Sequence, residues 1–84
     1  SLDAALYAKK LAETYQKKIA LTFSDPNVVN FCRDGFNAIL EHGPIDLLFC
    51  NEKEALTYTE TTDIDNALEQ LKPLSKQILK LPKR

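Results

Sequence analysis

Ile45-Asp46-Leu47-Leu48-Phe49-Cys50 runs straight into Asn51-Glu52-Lys53-Glu54, and the fold class turns on this stretch. A short apolar run of this kind reads as a buried strand of a parallel sheet. The residues after it open a helix with an amide and two carboxylates, Asn51, Glu52 and Glu54. In open α/β sheets, ligands bind just past the carboxyl ends of the strands. An Asn-x-x-Glu box at that point stands where a phosphate or a metal would sit.

Working back from the strand, Glu41-His42-Gly43-Pro44 is a stop signal for the helix before it. His lies in the last turn, Gly just after it and Pro beyond. Val28 or Val29, Cys32, Phe36, Ile39 and Leu40 make one apolar stripe, predicting a helix over about 27–41. Ser24-Asp25-Pro26 opens it, since Ser or Asp caps free amides and Pro favours the first helical position. Ile19-Ala20-Leu21-Thr22-Phe23 reads as a second short buried strand. Before it, Ala4, Ala8, Leu11 and Tyr15 share one helical face, predicting a helix over 3–17 that packs on the sheet. Asp3 in its first turn and Lys17-Lys18 in its last suit the helix dipole. Lys9, Lys10, Glu13, Gln16 and Lys17 lie off the apolar face and read as its solvated side. His42 is the only histidine. A helix-terminal His answers the helix dipole; a catalytic role is its other reading.

Beyond the box, a helix is expected from Glu52 to about Thr59. Thr62-x-x-Asp65 has the spacing of a capping box for another, with Ile64, Ala67, Leu68 and Leu71 as its apolar face. Asp63, Asp65 and Asn66 lack the Gly and the distal Glu of a calcium loop. Pro73 interrupts the pattern. Leu74, Ile78, Leu79 and Leu81 suggest a further turn or two of helix, with Lys72, Lys76 and Lys80 on its wet face.

Composition narrows the function. The 84 residues suffice for one small domain. A net charge of −1 offers no field for nucleic acid or an anionic membrane. No apolar stretch approaches the roughly 18 residues of a membrane span. Ser1-Leu2-Asp3-Ala4-Ala5 shows no basic region leading into an apolar run, so no signal peptide is expected. Cys32 and Cys50, with one His, cannot form a structural zinc site. They read as buried, reduced thiols in a cytoplasmic protein; a disulfide between them is the other arrangement the sequence allows. With Gly35 and Gly43 as the only glycines, no Gly-rich phosphate cradle can be built.

Two strands joined by a helix of about fifteen residues favour a parallel pair. Two such strands are not a complete sheet, because parallel sheets are covered on both faces and are wider. Residues 1–84 therefore look like a single, incomplete slice of a larger α/β domain, with parallel strands near 19–24 and 45–50 flanked by helices. Apolar strands with uncovered edges call for self-association or packing on more polypeptide.

The box has two compatible readings. Asn51 is a helix cap, with Glu54 reaching back from the third helical position. A helix N-terminus also attracts phosphate, which Glu52 and Glu54 repel. The conflict disappears if a divalent cation lies between carboxylate and phosphate, as magnesium does in phosphoryl-transfer sites.

In this form the chain resembles the PfkB/ribokinase family of sugar and nucleoside kinases, and most of all its adenosine-kinase-like branch. The residues that carry the resemblance are Ala20-Leu21-Thr22-Phe23-Ser24-Asp25-Pro26-Asn27, then a helix, then Asp46-Leu47-Leu48-Phe49-Cys50-Asn51-Glu52-Lys53-Glu54-Ala55. It extends over about residues 2 to 80. It implies a slice of a three-layer ribokinase-like (Rossmann-like) domain. It also implies ATP and Mg²⁺ as cofactors of the full-length parent, and a sugar or nucleoside as substrate. The family's magnesium and phosphate handling falls on Asn51 (cofactor-binding) and Glu54 (metal). The family's catalytic base lies in a Gly-Ala-Gly-Asp motif, and the chain contains none, so the piece itself is expected to be inactive. The alternative is a small non-enzymatic α/β interaction module in which Asn51 and Glu54 only cap a helix. A receiver-like or flavodoxin-like piece is weaker, because the first strand offers only Asp25 as an acid.

Overall fold

The computed structural model describes residues 2–82, with side chains from Leu6 onward. Ser1, the side chains of Asp3, Ala4 and Ala5, and Lys83 and Arg84 of the basic tail lie outside the described residues. The apolar run forms strand β2 (Ile45–Asn51), which takes a partner on each side. Strand β1 (Ala20–Thr22) pairs with it in parallel, setting Leu21 opposite Leu48 and Thr22 opposite Phe49. Strand β3 (Ser75–Leu81) pairs in parallel on the other side, setting Ile78 opposite Leu48 and Leu79 opposite Phe49. The expected parallel pair is present, and a third strand joins it.

That third strand corrects the helical reading of residues 74–81. A short apolar run fits either period, and a pairing partner decides between them. Proline ends the preceding helix in a 3-10 turn, Lys72–Leu74, and the chain then extends along the open edge of β2. Lys76 and Lys80 come to lie on one face of an edge strand, where lysine discourages further pairing.

Helices α2 (Pro26–Phe31) and α3 (Arg33–Leu40) join β1 to β2, and α4 (Glu52–Thr59) and α5 (Ile64–Leu71) join β2 to β3. The single helix expected over 27–41 is divided by a bend at Cys32 (φ −107°, ψ 21°). The hydrogen bonds run on through it, with the Cys32 amide donating to Val28 and the Phe36 amide to Cys32. The bend leaves Cys32 exposed instead of buried in the stripe, while Cys50 is buried as expected; both are free thiols. For α5 the cap is Asp63, whose carboxylate accepts from the Asp65 amide at 3.1 Å, not Thr62.

A sheet built in the order β1-β2-β3 with crossovers of one hand carries its connecting helices on one face. Leu48 and Cys50 are fully buried on that face, against Val29, Phe36, Leu40, Ala55, Ala67 and Leu71. Phe23 anchors the cluster, edge-on to Phe36 at 5.1 Å and stacked on Tyr58 at 4.8 Å. Burial raises the Tyr58 phenol pKa, with Glu41 adding to the effect and Arg33 opposing it. The other face keeps Ala20, Thr22 and Gln77 exposed, and Leu79 is 50% exposed. The described residues thus form a three-stranded parallel sheet with helices packed on one face.

Helix α1 (Leu2–Thr14) is shorter than expected and turned the other way. It packs on α3. Ala8, Leu11 and Tyr15 face out, whereas Lys9 is 3% exposed. The Lys9 ammonium donates to the carbonyls of Ile39 (2.5 Å), Gly43 (2.6 Å) and His42 (3.1 Å). Its three donors thus meet one carbonyl of the last turn of α3 and two of the turn that follows it, beside a helix that has no basic residue in its last turn. Arg33 serves α4 in the same way, donating to Thr57 (2.9 Å) and Tyr58 (2.8 Å). Asp46, the acid within the apolar run, accepts from the Ile19 amide at 2.7 Å and pairs with Lys76 at 3.4 Å. The Ile19 bond is the main reason its carboxyl is held below the ordinary aspartate value of 3.8, with Lys76 assisting. It ties all three strands together at the amino end of the sheet.

Candidate functional site

At the opposite, carboxyl end of the sheet, β1 and β2 each run into a helix start. After β1, Ser24 takes a left-handed φ of 70° and the chain turns into Asp25. Asp25 is extended (φ −158°), and its Oδ1 accepts from the amides of Asn27 (2.8 Å) and Val28 (3.0 Å). Pro26 takes the first helical position, where its missing N–H costs nothing. Of the two candidates in Ser24-Asp25, the carboxylate is the cap.

After β2, Asn51 stays extended (φ −91°, ψ 174°). Its Oδ1 accepts from the Glu54 amide at 2.8 Å, and Glu54 Oε1 accepts from the Asn51 amide at 3.1 Å. This is the reciprocal capping box read from the spacing. Two of the helix's unpaired donors are satisfied by residues three apart, so the geometry is local. Asn51 is 8% exposed and Glu54 fully buried.

The two helix starts flank a cleft of about 510 Å³ lined by Asp25, Pro26, Asn51, Glu52, Lys53 and Glu54. Two helix N-termini turn their positive ends toward it, three carboxylates stand around it, and Lys53 adds a cation at its exposed rim. Such a mixture suits a phosphate only together with a cation that offsets the carboxylates. Among the described residues no cluster of three or more His, Cys, Asp or Glu side chains could hold a metal ion. Asp25 is committed to its cap and Glu54 to the box. A cation there would have to take most of its ligands from water and phosphate. The residues do not form a cage of their own.

The structure brings Asn51 and Glu54 together and joins Asp25 to them across the cleft. Glu52 lines it too, as does Lys53, which sequence reasoning left without a role. The signal for Lys53 was its place inside the box. Cys50 adjoins the site but is no nucleophile: burial, reinforced by the Glu54 charge, pushes its thiol up to about 11. His42 lies at the other end of β2, its Nδ1 2.7 Å from the Ala38 carbonyl of α3, as a helix-terminal histidine should.

No family model and no curated protein matches the chain. Two solved structures do. An adenosine kinase from Sinorhizobium meliloti is 36% identical, with a TM-score of 0.78 over 90% of this chain and 23% of its own. A probable sugar kinase from Rhizobium etli CFN 42 is 26% identical, with a TM-score of 0.77 over 92% of this chain and 24% of its own. The chain therefore spans about a quarter of the length of the kinases it matches. No helix among the described residues is long and apolar enough to cross a membrane.

Proposed function

The chain is a PfkB-like kinase segment, and we propose that it supplies the magnesium- and phosphate-handling corner of an ATP-dependent sugar or nucleoside kinase. The observation that carries this reading is the Asn51–Glu54 box, closed at the carboxyl end of the central strand and facing a cleft shared with Asp25. Magnesium bound there with ATP would neutralise charge on the phosphates as the γ-phosphoryl group passes to a sugar hydroxyl. Asn51 orients Glu54 by holding its amide. Glu54 keeps one oxygen on the Asn51 amide and lines the cleft from within the box. The two helix starts aim backbone dipoles at the phosphates. The 84 residues contain no Gly-Ala-Gly-Asp motif, so the chain alone performs no phosphoryl transfer and packs on further polypeptide to do so. Two free thiols suit a reducing, cytoplasmic compartment.

Full burial of Glu54 favours a second reading, a non-enzymatic α/β interaction module in which the box only caps α4. Amide chemical shifts of the isotope-labelled chain, titrated with ATP in the presence and absence of magnesium, separate the two. Magnesium and ATP together are expected to move Asp25, Asn51 and Glu54, and neither alone to do so. Glu54→Gln keeps an oxygen for the cap and should lose the magnesium-dependent part while α4 stays intact. Unmoved amides at those positions would leave only the cap.

A further inference from the structure

The capping box uses only half of the Asn51 carboxamide. Its Oδ1 is taken by the Glu54 amide at 2.8 Å, whereas its Nδ2 has no partner among the described residues. Asn51 is 8% exposed, and among the described residues no buried side-chain nitrogen or oxygen lacks a partner. The unpaired Nδ2 is therefore the part of the side chain that stays open to solvent, and the residue lines the cleft. An amide nitrogen of this kind carries two N–H donors and is no ligand for a metal ion. What it can hold in the cleft is an acceptor oxygen.

Lys53 stands two residues on, at the second position of α4. It is the only cation among the described residues that line the cleft. Its side chain is exposed, and among the described residues its ammonium has no ion pair or hydrogen bond; only its carbonyl is used, by the Thr57 hydroxyl at 2.8 Å. For the helix itself the charge is misplaced. Cations are stabilising near the last turn, yet α4 has its single lysine in the first turn and no basic residue in the last. Neither helix stability nor the box, whose two inner positions take no part in its hydrogen bonds, accounts for this lysine. A flexible stem lets the ammonium meet an anion above the cleft as a point charge.

We propose, building on the phosphate-handling reading of this cleft, that Lys53 Nζ and Asn51 Nδ2 together hold phosphate oxygens of the nucleotide. The charges then balance on the protein's side. Asp25, Glu52 and Glu54 bring three carboxylates to the cleft; one magnesium ion offsets two of them and Lys53 the third. Both donors belong to side chains, so each can be removed alone.

The experiment is a titration of the isotope-labelled chain with magnesium–ATP, followed by amide chemical shifts at low and high salt. Lys53→Met is expected to weaken binding about tenfold, the worth of one charge-assisted contact, and to flatten its salt dependence. Lys53→Arg keeps the charge and should keep most of the affinity. The unfolding midpoint of Lys53→Met should not fall, because the lysine opposes the helix dipole. Asn51→Asp keeps an oxygen for the cap and loses the donor, so α4 should persist while binding weakens. Wild-type affinity and salt dependence in Lys53→Met, or wild-type affinity in Asn51→Asp, overturns the proposal and leaves the magnesium reading of the cleft standing. A wild-type chain whose amides ignore magnesium–ATP overturns both.

Discussion

Lys9 illustrates how a charged residue can hold a small fold together. An unpaired ammonium is costly to bury, but here each of its three donors has a carbonyl, one in the last turn of α3 and two in the turn after it. The arrangement also satisfies the Ile39 carbonyl, for which α3 offers no basic side chain in its own last turn. Lys9→Met keeps the stem and removes the donors. Each buried acceptor left unpaired costs about 1–3 kcal/mol, less where water reaches it. We expect a loss of about 2–3 kcal/mol in denaturant unfolding, together with faster amide exchange in α1 than in β2. Equal exchange in both would mean that α1 is held by packing rather than by the lysine.

Among the elements, α4 concentrates the local chemistry. It begins in the reciprocal box and ends at Glu60, which sits in the left-handed region at φ 57°, ψ 40°. The Glu60 and Thr61 amides both donate back to Leu56, the pattern in which glycine is favoured. A non-glycine residue in this conformation costs about 1–2 kcal/mol. Against that stands an ion pair with Arg33 at 3.5 Å, with the Glu60 side chain 75% exposed. An exposed pair of this kind is worth about 0–1 kcal/mol. Relief of strain therefore outweighs the lost pair, even after glycine's extra entropy in the unfolded chain. Glu60→Gly is expected to stabilise the protein by about 0.5–1 kcal/mol, read as an upward shift in the unfolding midpoint. A drop in the midpoint would show that Arg33 contributes more through Glu60 than through the α4 carbonyls.

Across the whole molecule, one cluster on one side of the sheet carries the core, and the two thiols report on it. Cys32 lies at the bend between α2 and α3, exposed. Cys50 is fully buried at the centre of the cluster, with its thiol pushed up to about 11. At neutral pH a thiol reagent should modify Cys32 at once. It should reach Cys50 only when the central strand opens, so that Cys50 labelling slows in step with global stability. Cys50 labelling as fast as Cys32 would mean that the bare sheet face lets the core breathe without unfolding.

The parts legible in the residues alone are those that neighbours in the chain settle among themselves. Asn51 and Glu54 are three apart and close their box without help. Asp25-Pro26 starts a helix, and Gly43, at φ 97°, allows the turn that ends one. The density of apolar residues in 45–50 marks a buried strand whatever lies beside it. The remainder depended on partners distant in sequence. Residues 75–81 suit helix or strand equally, and the open edge of β2 made them strand. Lys9 reads as solvated until the end of α3 lies beneath it, and that docking then turned Tyr7, Leu11 and Tyr15 outward. Cys32 fits the apolar stripe only if the helix runs straight, and the bend took it out. Local hydrogen bonds are complete within a few residues, whereas burial and strand pairing belong to surfaces that exist only once the chain has folded.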